Sequence, residues 1–120
     1  MTRNRIAIVA VVVIAFALVA GFLIYKNQGG GGKNVTFDLT VTHADTMKPT
    51  SELNVRQNDT VTINITSDMD GEVHLHGYDI HFDNTAGIVT THTFKADKSG
   101  TFEIEWESTS KHLGDLVVAP

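Results

Sequence analysis

Residues 71–81 read GEVHLHGYDIH and hold three of the chain's six histidines, His74, His76 and His81. Imidazole nitrogen is a good ligand for Cu(II), Zn(II) or Ni(II), so this clustering raises the question of a metal centre. Successive side chains on a strand point to opposite faces. That places His74 and His76 on one face with Glu72 and Tyr78, and sends Val73 and Leu75 inward. His81, at an odd position, leaves the shared face unless the strand bends after Gly77. Solvent-facing strands also carry histidines without any metal, and the spacing alone leaves both readings open.

The other candidate chemistries are thinner. His43 ends a strand and His92 sits in TTHTF, positions that read as surface. Ser108, Ser110, His112 and Asp115 supply the residue types of a hydrolase triad. They crowd one short loop with no nucleophile-elbow glycines and no oxyanion motif, so the chain is not read as an enzyme. There is no cysteine, which removes every thiolate from the ligand list and every disulfide brace.

These residues have to be positioned by the elements around them, and the chain divides sharply. Residues 6–24, IAIVAVVVIAFALVAGFLI, contain no charge. As a helix they would span about 28 Å, close to the ~30 Å hydrocarbon core of a bilayer. The run is longer than the roughly 7–15 residues of a signal-peptide core and no A-x-A site closes it, which favours an uncleaved anchor. Arg3 and Arg5 precede it and Lys26 alone follows closely, so the positive-inside rule keeps residues 1–5 in the cytoplasm. The expected organisation is a single-pass membrane helix over 6–25, a glycine-rich tether over 26–33 and an extracytoplasmic domain over 34–120. From Lys33 onward six basic residues face fourteen acidic ones, a net of −8. So acidic a domain disfavours nucleic acid and bare anionic lipid as partners; a metal ion or a basic membrane or envelope protein fits.

The outer domain reads as β throughout. Residues 34–43 (NVTFDLTVTH) alternate Val35, Phe37, Leu39 and Val41 against polar neighbours, and residues 60–67 (TVTINITS) do the same. The histidine segment, residues 72–80, is expected as one strand, followed by a loop over 82–87 and a strand over 88–94. In TFEIEWE, residues 101–107, Phe102, Ile104 and Trp106 form an inward row; Glu103, Glu105 and Glu107 form the ordinary wet face of a strand. A loop over 108–112 leads to a last strand over 113–119. The expectation is an all-β, antiparallel sandwich of about seven strands.

The order of VRQNDTVTINITSD, a histidine segment, HTFKADKSGTFEIEW and HLGDLVV resembles the cupredoxin family across residues 34–120, above all the bacterial domains with an HxHGYD segment. The resemblance implies a Greek-key β-sandwich with copper bound near one end. By position it puts the upstream ligand histidine on His76 with His74 beside it, the cysteine position on or beside Trp106, and the axial position near His112. The family fold would bring His112 toward His76. Without cysteine neither a blue copper site nor a thiolate-bridged pair can form, and what survives is a histidine-only copper site drawn from His76, His112, His74 and His81. Copper handling is then favoured over electron transfer. The alternative is a metal-free scaffold serving as an interaction or accessory module of a membrane complex.

Overall fold

The computed structural model describes residues 32–120; the anchor expected over 6–25 and nearly all of the tether lie outside them. Among the described residues no helix is long and apolar enough to cross a membrane. Nine strands make up the domain: β1 (Asn34–Thr42), β2 (Thr46–Lys48), β3 (Glu52–Arg56), β4 (Thr60–Ser67), β5 (Gly71–Leu75), β6 (Ile80–Asn84), β7 (Thr90–Lys95), β8 (Gly100–Trp106) and β9 (Lys111–Ala119). One 3-10 turn, Glu107–Thr109, joins the last two.

The strands form two sheets, ordered β2-β1-β4-β7 and β3-β9-β8-β5-β6. Alternation in sequence becomes alternation in burial: Val61, Ile63 and Ile65 of β4 are enclosed, while Thr62 and Asn64 between them are half-exposed. Leu39 and Val41 join them from β1, and the opposing sheet contributes Leu53, Val73, Leu75, Phe82, Ile104, Trp106 and Leu116. Each large side chain so enclosed is worth about 1.5–3 kcal/mol relative to exposure. Trp106, 2% exposed, completes the inward row of β8, as its alternation with Glu105 and Glu107 requires.

Three expectations are corrected. The described residues form nine strands rather than about seven, because the connection after β1 contains β2 and the first half of the segment expected as a loop over 82–87 belongs to β6. The sheets are mixed rather than antiparallel: β1 pairs parallel with β4, and β3 parallel with β9. Alternation marks which face of a strand is buried but not which sheet it joins, and here the chain crosses repeatedly from one sheet to the other. The segment 72–80 is no single strand. It reverses through a four-residue turn, residues 76–79, into the β5–β6 hairpin.

Candidate metal centre

The hairpin decides where the histidines stand. Gly77 adopts φ 85° and Asp79 φ 55°, so the chain turns back on itself and Leu75 pairs with Ile80. The turn is clamped to the sandwich: the His76 amide donates to Glu103 O at 2.9 Å, and the Tyr78 hydroxyl donates to Lys98 O at 2.7 Å. Tyr78 thereby packs against Phe94 and Phe102 instead of joining the histidines on the outer face. Its partial burial, and after it the negative charge of Asp97, push its hydroxyl above the usual tyrosine value, an effect the bond to Lys98 opposes.

Because of the reversal His81 lies directly opposite His74, on the face it was expected to leave. The two rings stack with centroids 4.1 Å apart and planes 13° from parallel. His76, just past the end of β5, brings its ring to 4.1 Å from that of His74 as well. On the other side, β8 sets Glu105 beside His74 in the sheet register. His74, His76, Glu105 and Glu107 each place a donor atom within 4.8 Å of the others, and His74, Asp79 and His81 form a second such group.

The contacts are specific. His76 Nε2 lies 2.6 Å from Glu105 Oε1. His74 Nε2 lies 3.3 Å from Asp79 Oδ1, and His81 Nε2 lies 3.1 Å from the same oxygen. His81 Nδ1 meets the Glu72 carboxylate. His74 Nδ1 is different: Glu107 Oε1 is 3.2 Å away, yet the alignment makes no hydrogen bond. Among the described residues only Asn84 Oδ1 shares its state as a buried side-chain polar atom without a hydrogen bond. Hydrogen bonding to Glu72, then to Asp79, holds His81 above the usual histidine value. Asp79 is held below the usual carboxylate range, chiefly by its hydrogen bond to His81 and then to His74.

His112 stands apart from both groups. The expected loop 108–112 ends early, β9 begins at Lys111, and the pairing register skips Leu113 so that His112 sits opposite Glu105. Strand β8 therefore separates His112 from β5. Its nitrogens face Glu103 Oε2 at 3.1 Å and Asp115 Oδ2 at 3.4 Å. His43 is exposed at the end of β1, and His92 packs edge-on to Phe82 at 4.9 Å. The donor residues of these groups that the sequence-based ligand set left out are Asp79, Glu105 and Glu107. The last two lie in the glutamate row that could attract cations but read by default as a wet strand face, since nothing local reveals that β8 lies next to β5.

The donor set suits a metal. Two imidazoles and two carboxylates match borderline ions, and a buried nitrogen without a hydrogen bond is the state a ligand position leaves in the metal-free protein. Ligands held near 2.0 Å from one ion can be at most about 4 Å apart, so the group has less than about an ångström to close. Glu107, with its side chain 47% exposed, has room to do so. A thiolate-type site does not fit, since Trp106 stands at that position with its ring in the core.

No protein-family model matches the sequence, and no curated protein does. In structure, the chain is similar to one chain of a heme-copper terminal oxidase dimer, with TM-score 0.60 and 16% identity over 97% of this chain and 99% of that one. It is similar to a copper-binding protein in its apo form, with TM-score 0.58 and 14% identity over 76% and 91% of the two chains. A multicopper oxidase from Pseudomonas thermotolerans gives TM-score 0.58 and 18% identity over 74% of this chain, which spans 30% of the oxidase. The domain is a cupredoxin-like β-sandwich.

Proposed function

We propose that the chain is a copper-handling protein held at the outer face of the cell membrane by the apolar run over residues 6–24, and that it takes Cu(II) as cargo on His74, His76, Glu105 and Glu107. The observation that carries the reading is His74 Nδ1, buried, without a hydrogen bond and facing the Glu107 carboxylate at 3.2 Å. Copper is preferred because Cu(II) heads the affinity order for nitrogen and oxygen ligands, and because the structural neighbours named above include copper proteins. Mixed nitrogen and oxygen ligation with no sulfur favours Cu(II) over Cu(I), which argues for carrying the ion rather than cycling it. The four residues divide the work: the imidazoles supply neutral nitrogen, and the carboxylates offset the charge of the ion. The site also sits on the part of β8 farthest from Lys33, leaving it open to a donor or acceptor on the side away from the tether.

Calorimetric titration of the full-length chain with Cu(II), followed by electron paramagnetic resonance, tests this. A tight site with nitrogen hyperfine structure is expected, weakened at least about tenfold by His76→Ala or Glu105→Gln, a loss typical of disturbed metal sites. His112→Ala separates the resemblance from the geometry: loss of copper would restore it to the ligand set, and unchanged binding is expected. A second reading, a metal-free scaffold that docks a basic protein, is favoured by one observation: His74, His76, His81 and His112 all face carboxylates. Absence of copper binding would select it.

A further inference from the structure

The two donor groups share one residue, and they engage it from opposite sides. His74 presents Nδ1 to Glu107 at 3.2 Å and Nε2 to Asp79 at 3.3 Å. His81 brings its own Nε2 to 3.1 Å from the same Asp79 oxygen, so two imidazole nitrogens and one carboxylate oxygen converge beyond the His74 ring. We propose that this face holds a second Cu(II) ion, on His74, Asp79 and His81, and that the His74 ring bridges it to the first. The inference rests on the copper site proposed above and extends it from one ion to a pair.

The chemistry balances simply. A neutral imidazole has one lone pair in its ring plane and one N–H, so it ligates a single ion; ligating two requires that the N–H proton leave. That proton passes to water as the second ion binds, no electron moves, and the ring becomes an imidazolate between two Cu(II) centres. Coordination of the first ion makes the step easier, since a bound cation lowers the proton affinity of its ligands. The surroundings are arranged for it. His81 Nδ1 is held by Glu72, leaving Nε2 as its ligand atom, the arrangement in which an outer carboxylate orients a ligating histidine. Asp79 is 86% exposed and His81 46% exposed, so His81 has room to tilt out of its stack with His74 and direct its lone pair at the ion. Three protein donors leave a position for water or an exchanging ligand.

The test is a stepwise Cu(II) titration of the full-length chain in mild detergent, with bound copper counted by calorimetry and spin counted by electron paramagnetic resonance. The expected result is two equivalents: the first raises a resonance signal, and the second removes most of it, because spins joined by an imidazolate couple antiferromagnetically. His81→Ala and Asp79→Asn should each abolish the second equivalent and leave the first with its full signal, circular dichroism confirming that the sandwich is intact. One equivalent only, unchanged by His81→Ala, overturns the second ion while leaving the first site standing. Two equivalents with additive signals overturn the bridge. No tight copper at all overturns the copper-site reading and this inference with it.

Discussion

His81 and Asp79 form the most polarised pair of the site. Glu72 and Asp79 stabilise the charged imidazolium, so His81 is held above its ordinary value, and His81 in turn holds Asp79 below its own. The signs fix a pH window for the metal-free protein. A raised histidine contributes stability in full below its unfolded value, near about 6.5, and loses it as pH climbs through the folded value. A lowered aspartate contributes in full above its unfolded value, near about 3.9, and loses it as pH falls. The pair therefore adds most between about pH 4 and 6.5. Both groups face solvent, so the contribution is modest and shrinks with salt. Urea unfolding of chelator-treated protein across pH 3–9 (a range set by the values near 3.9 and 6.5) should show His81→Ala flattening the profile on both sides of that window. A variant profile parallel to the parent's would remove the pair from the stability of the domain.

The element that makes the site is the β5–β6 hairpin, and Gly77 is its hinge. At φ 85° a side chain is strained by its own backbone, and a Cβ there would stand 2.2 Å from the Phe102 ring, which is itself packed on Tyr78. Gly77→Ala should therefore cost about 1–3 kcal/mol, the usual range for a residue forced into a sparsely populated conformation, read as a lower urea midpoint with an unchanged slope. If the turn shifts to relieve the clash, His81 moves from its register opposite His74, and the second copper equivalent should weaken more than the first. This element was also the hardest to read in advance. Val73 and Leu75 announced their buried face by alternation alone, and both are fully enclosed. The turn did not announce itself, because His76-Gly77-Tyr78-Asp79 lacks the Asn-Gly or Asp-Gly pair that marks tight hairpins. Only Gly77, where a bend would return His81 to the shared face, foreshadowed it. Glu105 and Glu107 were legible as one face of β8 but not as neighbours of His74, since strand pairing across some thirty residues is set by tertiary packing. His112 was read into a loop because a register that skips Leu113 has no local signature.

At the scale of the molecule, the two ends of the sandwich do different jobs. The end where the tether joins is knotted by backbone bonds from Asp59 to Arg56, from Asn58 to Ala96, from Ala96 to Asp59 and from Gln57 to Ala119, which tie both sheets together. Asp59, 1% exposed, sits at the centre of that knot: its carboxylate accepts from the Lys33 amide at 3.0 Å and the Arg56 amide at 2.9 Å. The histidine–carboxylate groups sit on the outer face of the five-stranded sheet, toward the opposite end, where β5 meets the exit of β8. Asp59→Ala leaves both amides without these acceptors and should destabilise the domain by about 3–6 kcal/mol, the sum expected for two charge-assisted bonds lost at a buried site. Against a typical total of about 4–13 kcal/mol for a domain of this size, that is a large share, yet not enough by itself to unfold most such domains. Asp59→Asn keeps one acceptor oxygen and should lose less. Sites well separated and without shared partners act independently, so copper affinity measured below the unfolding transition should be the same in Asp59→Ala as in the parent chain. A parallel fall in copper affinity would mean that the knot at the tether end also sets the β5–β8 register, and that stability and metal binding are one property of the sandwich rather than two.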